Sequence, residues 1–155
     1  MSTQTTPTAR DEAAAARIVK HHTHLAADLE RLAGAVAAAT DAASFAATKQ
    51  ELSTWLHGEL APHAAGEEVT FYQAAGALPA GKLLVDAMVS EHRVILGFVE
   101  QLDAAQDQAA AAAWANALLR LFSHHAAQEN ESIIPLLVAE PSVNLEALLH
   151  EMHEH

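Results

Sequence analysis

Six side chains in this sequence have types and spacing suited to chemistry: His22, His63, Glu67, His92, His125 and Glu129. His22 lies between Ile18 and Leu25, and His92 between Val89 and Ile95, so helical periodicity turns both rings toward an interior. The series Leu56, Leu60, His63, Glu67 and Leu118, Phe122, His125, Glu129 each turn inward a histidine and then a carboxylate. Imidazole and carboxylate together suit Fe, Mn, Zn or Cu. Left without a cation, such a set buries charges and unpaired polar groups at a cost on the order of 1–3 kcal/mol each or more. Six donors are too many for one tetrahedral ion. They point to two ions bridged by Glu67 and Glu129 with histidines at the terminal positions, an arrangement that favours iron.

Four long helices are needed to position these groups. Thr8 caps helix A with Asp11 at its third position, and Ile18, Leu25, Leu29, Leu32 and Val36 carry the stripe to about residue 39. Thr40 and Asp41 mark a stop and restart. Leu52, Leu56, Leu60 and Phe71 then carry helix B to the turn-forming stretch 76–81, which contains Pro79. Helix C spans about 82–102 with Val85, Val89, Ile95 and Val99 inward, and helix D about 109–138 with Leu118, Phe122, Ile133 and Leu136 inward. A short fifth helix follows Pro141, capped by Ser142 or Asn144. The expected fold is all-α, an up-down-up-down four-helix bundle with a short C-terminal helix. It divides into a disordered N-terminus (1–8), one bundle domain (9–140) and a C-terminal helix or tail (141–155). Helices B and D run parallel in this topology, so each carboxylate stands one turn, ~6 Å, from its histidine in the same direction. An internal repeat agrees. His63-Ala64-Ala65-Gly66-Glu67 matches His125-Ala126-Ala127-Gln128-Glu129, and Val19-x-x-His22-x-x-Leu25 matches Val89-x-x-His92-x-x-Ile95.

Composition supports one helical domain. Of 155 residues 51% are apolar but only 5% aromatic, so the core rests on Ala and Leu, which favour helix over sheet. There is no cysteine, which excludes disulfides, thiolate metal sites and a cysteine nucleophile. A formal charge of -12 opposes nucleic acid and anionic membrane partners. No apolar run reaches the ~18 residues that span a bilayer, and the polar start lacks the pattern of a secretion signal. A cytoplasmic location is expected.

The remaining histidines read differently. His21, His24 and His124 sit beside the stripes, at the surface or where they orient a ligand, and His57 is expected in solvent. His150, His153 and His155 flank Leu145, Leu148, Leu149 and Met152 in an amphipathic helix that closes one end of the bundle. Pro62 removes a backbone hydrogen bond to Gly58 and kinks helix B just before His63. Met88 reads as core, and Trp55, Trp114 and Tyr72 as packing aromatics.

The order of one histidine, then His-x-x-x-Glu, then one histidine, then His-x-x-x-Glu resembles the hemerythrin-like (histidine-histidine-glutamate cation-binding) domains. Glu91-His92-Arg93 and the phrase from His125 to Pro135 carry the likeness further, and it covers roughly residues 18–138. Ferritin-like sites instead use Glu-x-x-His pairs, which the inward faces lack. The resemblance implies a non-haem di-iron centre, two iron ions joined by oxo or hydroxo and carboxylate bridges, that meets O2, NO or peroxide. Oxygen-carrying hemerythrins place two histidines one turn apart on helix C, where this chain has Met88 and Leu96 around His92. A seventh ligand is therefore open: Glu59 and Tyr72 are candidates, with water as the alternative and His21 as an orienting neighbour. Three functions stand at this point. One is a di-iron protein that binds, senses or turns over small oxidants, with catalase-like peroxide decomposition as its candidate activity. The second is a redox-inactive metal-binding or storage module, and the third a metal-free helical interaction domain. No catalytic residue beyond the metal centre, and no redox or signalling partner, is assigned.

Overall fold

A computed structural model describes residues 8–154; residues 1–7 of the expected disordered N-terminus, and His155, lie outside the described residues. Thr8 opens α1 (Ala9–Ala38), its Oγ1 accepting the Asp11 N–H at 3.1 Å. Asp41 restarts the chain as α2 (Ala42–Trp55) through a capping box with Ser44. Asp107 caps α6 (Gln108–Gln128), and Asn144, not Ser142, caps α8 (Leu145–His153). Helix C is α5 (Lys82–Ala104). Its fully buried stripe is Met88, His92, Ile95, Val99 and Leu102, while Val85 and Val89, expected inward, flank that stripe and are only partly buried.

Helices B and D are not continuous. After α2 a π turn spans Leu56–Leu60, followed by α3 (Ala61–Val69) and α4 (Phe71–Gly76). After α6 a second π turn spans Glu129–Ile133, followed by α7 (Ile134–Ala139). Both turns precede a proline, Pro62 and Pro135. In an α-helix the proline ring meets the carbonyl four residues back. The wider turn moves that carbonyl aside, and the Ala61 and Ile134 N–H groups reach back five residues to the Leu56 and Glu129 carbonyls. The kink expected at Pro62 thus takes the form of a π turn. Beyond the second turn Leu137 is fully buried and Leu136, expected inward, only partly so. The break between α3 and α4 comes from Thr70, whose Oγ1 donates to the Gly66 carbonyl at 2.7 Å while its N–H shifts to Glu67.

No strand occurs among the described residues. The four arms α1, α2–α4, α5 and α6–α7 form a closed ring: α1 packs on α2 and α6, and α5 on α2 and α6. α8 covers one end, lying against α1 and α3. The Leu145 N–H donates to Asp11 Oδ1 at 3.2 Å. Gly66 permits the close approach of α8, since a Cβ there would lie 3.1 Å from Met152 Cγ. Gly81, in the turn before α5, is required more strictly: a Cβ would fall 1.9 Å from the Ala75 carbonyl oxygen. No helix among the described residues is long and apolar enough to cross a membrane.

The apolar interior forms two clusters. One runs through Leu25, Leu29, Leu52, Leu60, Ile95, Leu118 and Phe122, the other through Ile18, Phe71, Met88, Ile133, Leu137 and Leu145. At the far end from α8, Lys49 Nζ donates to the Asp103 and Ala105 carbonyls at 2.9 and 2.6 Å, closing the C-terminus of α5. Lys49→Met is expected to lower stability by about 1–2 kcal/mol through these charge-assisted bonds. Thermal melts should show the loss, with metal content unchanged.

Candidate metal centre

The belt between the two apolar clusters is polar. His22 enters it from α1, His63 and Glu67 from α3, His92 from α5, His125 from the last turn of α6, and Glu129 from the first residue of the second π turn. All six are buried. Their donor atoms form two groups, each within 4.8 Å: His22, His63, Glu67 and Glu129, and Glu67, His92, His125 and Glu129. Both glutamates belong to both groups. Glu67 Oε1 lies 3.2 Å from His22 Nε2 and 2.8 Å from His63 Nε2, while its Oε2 lies 3.3 Å from His92 Nε2. Glu129 Oε2 lies 3.2 Å from His22 Nε2, and its Oε1 2.9 Å from His125 Nε2.

These residues fit a bound cation. His63 Nδ1, His63 Nε2 and Glu67 Oε2 are buried with no hydrogen-bond partner. His63 Nε2 is close to Glu67 Oε1 without the angles of a hydrogen bond, as donors arranged around a shared centre would be. N and O donors at this density are the chemistry of a transition-metal site.

The outer nitrogens are held by residues that the sequence did not single out as partners. His92 Nδ1 donates to Glu68 Oε1 at 2.8 Å, His125 Nδ1 to Glu91 Oε2 at 2.7 Å, and His22 Nδ1 to Asn130 Oδ1 at 2.7 Å. This fixes the tautomer that turns each Nε2 inward. A signal exists in hindsight. Glu68, Glu91 and Asn130 each follow or precede an inward residue by one position, at the stripe edge from which a side chain reaches the next helix.

Charge in the belt is divided unevenly. Burial opposes the charged form of His125, but Glu129 and Glu91 outweigh it and push the imidazole up to about 9. His22 and His92 are also raised against burial, His22 chiefly by Glu67 and then Glu129, His92 by Glu67 and Glu68. Burial pushes Glu67 up, yet the surrounding histidines, His63 foremost, hold it well below the usual carboxylate range. Glu129 goes the other way, raised by burial and by the charge of Glu67. Facing carboxylates thus share one site unequally.

Of the three additional candidates, Tyr72 reaches the centre. Its hydroxyl donates to Glu129 Oε1 and lies 3.1 Å from His125 Nε2 and 3.4 Å from His92 Nε2. Burial, then the charges of Glu67 and Glu129, push the phenol far up, so it keeps its proton beside them. Glu59 does not reach the centre: it is exposed and lines a surface groove with Arg31 and Trp55. It precedes the buried Leu60 by one position and so flanks the inward stripe of Leu56, Leu60, His63 and Glu67. His21 is outside both groups, but its ring lies 5.1 Å from that of His63. His21 is exposed to solvent, and the partial burial of its ring, with the neighbouring imidazoles His63, His22 and His153, lowers it to about 4. His24 and His124 are exposed, as is His57, which pairs with Asp103 at 2.8 Å.

Neither the comparison with curated proteins nor that with solved structures gives a match. The family model for the hemerythrin HHE cation binding domain matches residues 13–137, from the second turn of α1 to α7 and across all six converging residues, and the chain belongs to that family.

Proposed function

We propose that this chain is a non-haem di-iron protein that binds and turns over O2, NO or peroxide. The carrying observation is that the two donor groups share Glu67 and Glu129, each carboxylate giving one oxygen to the side of His22 and the other to the side of His92 and His125. Iron bound there supplies one-electron redox chemistry and exchangeable positions for a small oxidant. The protein's own part is to hold and to exclude. His22 and His63 serve one ion, His92 and His125 the other. The apolar clusters on either side of the belt keep bulk water out, which strengthens every charge interaction within it.

Helix α5 offers one imidazole to the centre. Met88 is packed in an apolar cluster and Leu96 is 40% exposed, so neither adds a donor. A reversible carrier needs one open position in a protected pocket, whereas a centre with a further open position reacts onward. The reduced protein is therefore expected to oxidise in air without returning O2, and the oxidised protein to decompose peroxide. The test is metal analysis followed by anaerobic reduction, exposure to O2 and evacuation under a visible spectrum. Recovery of the ferrous spectrum over repeated cycles would favour a carrier. A colourless zinc protein would favour metal storage, and a folded protein that takes up no metal an interaction domain.

Tyr72 is the side chain placed to take the further open position as a labile ligand in the ferric protein, which leaves that position open in the reduced one. Cations beside Glu67 and Glu129 would offset the charges that hold its proton, and with that proton passed to solvent the Tyr72 oxygen would be a further donor. The ferric protein should then show a visible phenolate-to-iron band, and Tyr72→Phe should abolish it with iron content retained. An unchanged band in Tyr72→Phe would leave Tyr72 as a hydrogen-bond donor to Glu129 only.

A further inference from the structure

The two halves of the centre share their carboxylates but not their outer partners. On one side both imidazoles donate Nδ1–H to carboxylates, His92 to Glu68 and His125 to Glu91. On the other, His22 donates to the neutral amide oxygen of Asn130, and His63 Nδ1 is buried with no partner. The His63 ring meets the rings of His21, tilted by 55°, and of His22, edge-on at 90°, and neither offers its Nδ1 a hydrogen-bond partner. A carboxylate on Nδ1–H raises the electron density at Nε2 and fixes the ring's rotation. An amide does this less, because the hydrogen bond is not charge-assisted, and an absent partner does neither. Glu68 and Glu91 also bring two negative charges to the His92 and His125 side.

A second observation points the same way. His21 lines a cavity of about 170 Å³ between α1 and α8, together with Arg17, Glu146, Leu149, His150 and His153. The half of the centre beside this opening is the one whose ligands are less firmly held.

We infer that the centre is built unequally: the His92 and His125 half binds its ion first and tightly, and the His22 and His63 half holds the exchangeable ion. Glu68 and Glu91 are positioning residues for the first, Asn130 for the second. The α1–α8 cavity is the side from which the exchangeable ion is reached. This inference rests on the two-ion reading above.

Ferrous iron titrated anaerobically into the metal-free full chain, followed by calorimetry with chelator competition, tests it. Two steps should appear, separated by about tenfold or more in affinity. Glu68→Gln and Glu91→Gln keep the side-chain shape and should each weaken the first step by about 10–100-fold with the second little changed. Asn130→Ala should weaken the second step alone. Circular dichroism establishes that each variant is folded. The separation of the two steps is the readout that a general loss of structure would not produce. Two steps of equal affinity, or glutamine variants that weaken both steps alike, would overturn the inequality and leave two ions in place. Saturation at one ion per chain would overturn the two-ion reading and this inference with it.

Discussion

Replacing Glu67 by alanine is expected to empty both halves of the centre together. Its two oxygens face different histidines, so the substitution withdraws one donor from each group at once. Under conditions that load the native chain with about two ions, Glu67→Ala should retain close to none, since the one remaining shared carboxylate, Glu129, would have to serve both ions at once, with no second bridge to offset their mutual repulsion. His63→Ala is the contrast. It removes a donor from one group only and should leave about one ion per chain. Metal analysis of desalted protein, with the near-ultraviolet spectrum, reads both. A Glu67→Ala protein that kept both ions and an unchanged spectrum would show that Glu67 does not bridge.

Metal binding is expected to raise stability strongly and to depend steeply on pH. In the metal-free protein the raised imidazoles His22, His92 and His125 contribute stability that is full below their ordinary 6.5 and lost as pH rises, for His125 through about 9. Glu67, held low, contributes stability above the ordinary 4.5 that is lost on acidification. Glu129, raised, subtracts from stability above the same value. The metal-free chain should therefore weaken in alkali. Metal reverses that limb, because a nitrogen must give up its proton to coordinate. Affinity should climb as pH rises from 6 toward about 9, and by about tenfold per unit for each proton displaced. Acid should release the metal. At neutral pH, metal present at about a thousandfold over its dissociation constant adds about 4 kcal/mol, and for a domain of this length that raises the melting temperature by roughly 8–16 °C. Scanning calorimetry of loaded and stripped protein at two pH values checks this. Equal midpoints would refute the coupling.

Local chemistry made much of the fold legible in advance. Thr8, Asp41 and Asn144 cap helices because a side-chain oxygen two or three residues ahead of a free N–H acts within one turn, independent of the rest of the chain. The apolar stripes showed which face of each helix turns inward. That His22, His63, Glu67, His92, His125 and Glu129 all turn inward follows from the same periodicity, since residues three or four apart on a helix share a face. The prolines signalled distortion but not its form. Whether Pro62 kinks, breaks or widens a helix depends on what the displaced carbonyl meets, and that lies on other elements.

Tyr72 shows the limit most clearly. The sequence offers it, with Glu59, as a candidate for the open ligand position, but on a continuous helix a residue five beyond Glu67 faces well away from it, so helical spacing alone does not bring it to the centre. The break at Thr70 re-aims α4 and sets its hydroxyl on Glu129. Glu59 is the converse, one nominal turn from His63 yet exposed beside the inward stripe, lining a surface groove. Glu68, Glu91 and Asn130 reach rings on other helices, so their partners depend on how each helix is rotated about its axis against its neighbour. The sequence by itself determined the helices, their inward faces and the inward-facing donors, because each depends on spacing within a single helix. Only the tertiary structure decided which oxygen faces which nitrogen and which imidazole is backed by a carboxylate, because those depend on the distances and rotations between helices, which no one-dimensional period encodes.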